Sequence, residues 1–117
     1  MSIAATVLSV LLAAVFLFSG GRKIPGGETA AGEAAHLRIP LTGYRTIGAA
    51  EVAGAAGLII GIFFAPLGIA AAAGLVLLMP GALIAHLRAG DPASAWAPAA
   101  ALTVVAAVTL VLRITTA

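Results

Sequence analysis

Apolar residues dominate the chain in four long runs, and polar ones collect between them. Residues 3–19, 43–64, 68–87 and 96–113 each carry enough aliphatic side chains to read as helices in lipid. The first run, at 1.5 Å per residue, reaches about 26 Å, close to the thickness of a bilayer core. No basic segment precedes it and no small-residue cleavage pattern follows it, so it reads as a spanning helix and not as a signal peptide. Pro25, Gly26 and Gly27 break the chain after it, and residues 28–37 predict a short, weakly amphipathic helix stopped by Pro40. Its acids come early and its His36 and Arg38 late, which suits the helix dipole. It is expected to be a surface connector, with a re-entrant cap as the alternative. Ala65, Pro66 and Leu67 form too short a link for anything but an antiparallel hairpin of the second and third runs. Pro80 should kink the third run, and Pro98 falls in the first turn of the fourth.

The expected fold is therefore all-α, a single integral membrane domain over 1–117: a four-helix antiparallel bundle with a short interfacial helix between the first two spans. Composition agrees. The chain has 117 residues, 62% of them hydrophobic and 9% charged, against the quarter or so that a soluble domain carries. A net charge of +2 with no arginine-rich or aromatic-interleaved stretch excludes a nucleic-acid partner. The absence of cysteine excludes disulfides and thiol chemistry by this chain. Arg22, Lys23, Arg38, Arg45 and Arg88 fall on one side of four spans and Arg113 on the other. The positive-inside rule then places the charged loops in the cytoplasm and both termini outside.

The second run organises the rest, because it holds Glu51. A charge inside a spanning helix costs at least a few kcal/mol. Tyr44, Gly48, Glu51, Gly54, Leu58 and Gly61 share one helical stripe of mostly small residues, so Glu51 should face protein. Gly57 and Gly61 form a small-xxx-small pattern, used within one chain or between two copies. Lys23, Arg45, Glu51, His86 and Asp91 should gather near one end of the bundle, and these are the candidate ligand-binding or proton-relay residues. For Glu51 the alternatives are an ion pair with Arg45 or Lys23 and a protonatable group in a pocket. For His86 they are a bond to a backbone carbonyl and a donor to a quinone-like carbonyl or proton relay. Asp91 is expected to cap locally or pair with Arg88. The His and acid spacings do not suit a metal, and no catalytic or nucleotide motif is present, which leaves no catalytic residue to name.

Three segments carry a resemblance to a family: FLFSGGRKIPG at 16–26, GYRTIGAAEVAGAAGLIIG at 43–61 and GLVLLMPGALIAHLRAGD at 74–91. With Gly48-x-x-Glu51, Lys23 closing the first span and His86-x-x-x-x-Asp91, the chain resembles the DoxX-like family of small bacterial membrane proteins. The resemblance implies a four-helix bundle in the plasma membrane. It also implies a subunit or scaffold role that supports quinone-linked redox or oxidative-stress chemistry in a partner complex. The other reading is a binder or carrier of a small hydrophobic or weakly acidic molecule, with the Glu/His/basic cluster as its polar anchor. A third, direct catalysis on a quinone, has no cofactor motif behind it. Lipid is the expected surrounding, and a redox partner protein and a homo-oligomer are both left open.

Overall fold

In the computed structural model, which describes residues 1–117, the chain is all-helical. Five helices follow in order: α1 (Ile3–Lys23), α2 (Glu28–His36), α3 (Leu41–Ile60), α4 (Ala65–Arg88) and α5 (Ala93–Thr115). The four long helices stand side by side. α1 packs on α3 and α5, α4 packs on α3 and α5, and short α2 lies against α3.

Each helix turns one stripe inward. On α1 the buried positions are Ala5, Ser9, Leu12, Ala13, Phe16 and Gly20, spaced by three and four. Leu12, Phe16, Leu58, Leu75, Met79 and Ala106 meet at the centre. The outward faces are as apolar as the core: Leu77 on α4 is 80% exposed and Phe63, after α3, is 90% exposed. Aliphatic surface on every side belongs against hydrocarbon, not water.

Three helices, α1, α4 and α5, are long and apolar enough to cross a membrane. The 24 residues of α4 reach about 36 Å, and the helix runs unbroken past Pro80. α3 is 20 residues long but less apolar, since Thr42, Arg45, Thr46 and Glu51 dilute it. It also ends at Ile60, four residues short of the expected limit, and the reversal falls on 61–64. Ala65 and Pro66 lie inside α4, where proline suits the first turn.

The Gly57–Gly61 pattern serves packing within the chain. A Cβ on Gly57 would lie 2.7 Å from the Ala71 methyl, and one on Gly61 would overlap the Gly68 backbone. The small residues let α3 and α4 approach closely where apolar burial supplies no drive between helices.

Candidate functional site

At the end of the molecule that carries α2 and the α4–α5 connection, the helices splay around a cavity of about 750 Å³. Phe16, Met79, Ala82, Ala99 and Leu102 form its apolar walls. Three polar groupings complete it.

The first joins α1 to α3. Gly20 and Gly48 face each other, and a Cβ on Gly48 would sit 2.7 Å from the Lys23 Cβ. A Cβ on Gly20 would strike the Gly48 carbonyl and come within 2.9 Å of the Glu51 Cβ. Because both positions lack side chains, Lys23 and Glu51 can meet. The Lys23 ammonium donates to Glu51 Oε1 and, at 3.0 Å, to Ser19 Oγ. It also stands 5.6 Å from the centre of the Tyr44 ring, a cation–π arrangement. Glu51 is 1% exposed, and its second carboxylate oxygen, Oε2, has no hydrogen-bond partner. Of the two ion-pair partners considered for Glu51, the structure selects Lys23. Arg45 leaves the cluster: its Nε donates to the Ile24 carbonyl at 2.7 Å, on the exposed side of the α1–α2 connection.

The second grouping centres on Glu33 of α2. It accepts from the Tyr44 hydroxyl and from Arg22 Nη1, the latter at 2.9 Å. Partial burial works to raise the Glu33 pKa, but the bonds from Tyr44 and Arg22 outweigh it and hold the carboxyl below its ordinary value. The third centres on Asp91. Gly90 takes the left-handed conformation at φ 75°, and the Asp91 amide donates back to the His86 carbonyl at 3.1 Å. That turn brings two side chains five residues apart into contact: His86 Nδ1 donates to Asp91 Oδ2 at 2.6 Å. His36 Nε2, from α2, donates to Oδ1 at 2.5 Å. The Asp91 side chain is 8% exposed, and its bonds from His86 and then His36 hold its pKa below the ordinary carboxylate value.

Two expectations are corrected here. Asp91 pairs with the two histidines and not with Arg88, whose guanidinium bonds the Leu37 carbonyl at 3.3 Å. α2 is more than a connector, because Glu33 and His36 both line the cavity and fasten it to the long helices. Ala30, Ala34 and Leu37 seat it against Tyr44 and Ala85. Of the five residues expected to gather, Lys23, Glu51, His86 and Asp91 line one cavity and Arg45 does not. Sequence reasoning did not name Arg22, Glu33, His36 and Tyr44 as cavity residues: Glu33 and His36 arrive with α2, and Arg22 and Tyr44 bond its Glu33.

Near the opposite end, the polar contacts gather on Arg113. Arg113 is 2% exposed and faces no carboxylate. It donates to Ser9 Oγ at 2.8 Å, the Gly61 carbonyl at 2.6 Å and, at 3.4 Å, the Leu58 carbonyl. The two carbonyls lie where α3 ends, so the guanidinium caps that helix from another one. The inward stripe of α5, Ala99, Ala106, Thr109 and Arg113, was the available signal.

Comparison with curated proteins and with solved structures gives no match. The family comparison does: residues 7–110, nearly the whole helical assembly and the residues that line the cavity, match the DoxX-like family. The segments that hold Lys23, Glu51, His86 and Asp91 all lie within that match, and the chain is a membrane protein that belongs to the DoxX-like family.

Proposed function

We propose that this protein binds a small amphipathic molecule, quinone-like compounds included, in the cavity between α2 and the four long helices. One observation carries the reading: a cavity of about 750 Å³ with aliphatic walls and a handful of convergent polar groups, the usual build of a small-molecule site. Glu51, which lines it, keeps one buried carboxylate oxygen without a partner, and this adds support. The chain acts as a binder or carrier, alone or as the membrane subunit of a redox complex. The open cavity favours the first, since a purely structural subunit has no need of it.

The proposal includes four crossings of the plasma membrane. α3 lies between α1 and α4, and pairing with Lys23 lowers the cost of placing Glu51 there. The Ser2 amide bonds Thr116 Oγ1 at 3.2 Å, so the two ends of the chain share one side, as an even number of crossings requires. Arg22, Lys23, Arg38, Arg45 and Arg88 then favour a cytoplasmic cavity mouth.

Native mass spectrometry of protein extracted in mild detergent tests the binding. A bound small molecule is expected, and its occupancy should fall in Ala82→Phe, which fills the cavity. An unliganded protein whose stability no amphipathic compound alters would remove the reading.

A further inference from the structure

We infer that the occupant of the cavity carries a hydroxyl at its head and presents it to Glu51 Oε2; this rests on the binding reading above and narrows it to a chemical class. The argument starts from what each polar group in the cavity still lacks. Glu51 is buried, and Oε2 is an acceptor with nothing donating to it. A buried polar atom without a partner is costly, and more so when it belongs to a charged group. A carboxylate can only accept, so the missing partner is a donor.

The neighbouring cation decides which donor. Lys23 has three N–H groups; Glu51 Oε1 and Ser19 take two, and the third is left on the cation that pairs with the same carboxylate. A head group placed there meets an acceptor and a donor together. A hydroxyl satisfies both. A ketone or ether accepts only and leaves Oε2 bare. An ammonium donates only and is repelled by Lys23.

Anions fare worse still. Of the charged cavity residues, Arg22 and Lys23 are positive and Glu33, Glu51 and Asp91 negative, a balance of −1 with both histidines neutral. Arg22 already pairs with Glu33, and Lys23 with Glu51. A carboxylate head would face a negative surround with no uncommitted cation. The inference therefore turns away from a weakly acidic ligand in its ionised form and toward a neutral alcohol or phenol on an apolar body.

Three naphthalenes of nearly equal shape separate these cases: 2-naphthol, 2-methoxynaphthalene and 2-naphthoate. Each is titrated into the purified, delipidated protein at neutral pH and followed by naphthalene fluorescence. 2-Naphthol should bind about tenfold or more tighter than its methyl ether, the scale of one hydrogen bond to a charged group, and naphthoate should bind weakest. Glu51→Gln keeps the side-chain shape but places an amide where Oε2 stood, and should bring naphthol and ether to near parity. If that variant does not fold, the Lys23→Met, Glu51→Met pair removes both charges and should also abolish the preference. Equal binding of naphthol and ether by the native protein would mean that water alone serves Oε2 and overturns the inference while leaving the cavity reading intact. So would tighter binding of naphthoate, or a preference that survives in Glu51→Gln. Failure of all three compounds to bind defeats the cavity reading and the inference with it.

Discussion

Arg113 Nη2 lies 2.6 Å from the carbonyl oxygen of Gly61, 52 residues earlier in the chain. The bond ties the last helix to the end of α3, and Gly68 makes room for it. A Cβ on Gly68 would overlap the guanidinium itself, whereas one on Gly74, on the same helix, would meet nothing. Gly68→Ala should therefore lower the thermal stability of the purified protein, while Gly74→Ala should hold or raise it, by up to about 1 kcal/mol from helix propensity. Fluorescence-detected size exclusion after heating compares them. Equal behaviour of the two variants would contradict the cap.

Arg113→Met tests the same end from the other side. It strands the Gly61 carbonyl, at a cost of about 1–3 kcal/mol for a buried acceptor left unpaired. Arg113→Lys should recover only part of this, because an ammonium cannot span Ser9 and the α3 carbonyls in the geometry of a planar fork. Retained stability in Arg113→Met would show that water or lipid replaces it.

Lys23 and Glu51 should behave as a unit. Lys23→Met leaves a carboxylate buried without its cation, a loss of about 3–5 kcal/mol in comparable buried pairs. The double variant Lys23→Met, Glu51→Met should be clearly more stable than Lys23→Met alone. A double-mutant cycle in the same detergent reads the coupling, and additive losses would show that the two residues do not support each other.

Acid should release α2. Asp91 and Glu33 both have lowered pKa values in the folded protein. Their contribution is present above the unfolded carboxylate value of about 4 and is lost as pH falls through the folded values. Hydrogen exchange across 28–36 should stay slow from neutral pH to about 4, and then accelerate below it with the long helices still protected. Asp91→Asn should weaken this protection already at neutral pH, since its amide replaces only part of the acceptor pair used by His36 and His86. Unchanged exchange at low pH would mean that apolar contacts of Ala30, Ala34 and Leu37 alone hold the helix.

The helices were legible because hydrophobic runs of this length leave few alternatives, and their ends followed Gly, Pro and charge. The inward direction of Glu51 was legible too, from a stripe of small residues at helical spacing. Arg45 and Asp91 were misjudged for one reason. Which of several nearby cations meets a carboxylate depends on how closely two helices approach and where a short helix docks, and neither is written in local periodicity. Arg45 is far nearer to Glu51 in sequence, but it points to the Ile24 carbonyl. Lys23, 28 residues away, wins because Gly20 and Gly48 bring the two backbones together.

The buried arginine at the narrow end has a bearing on traffic. Leu12, Leu58 and Leu75 pack in the core that adjoins the cavity walls, and Arg113 ties the helices together at the far end. Under the proposed binding, an occupant that crossed from one face of the membrane to the other would have to part Arg113 from Ser9 and from the carbonyls at the end of α3.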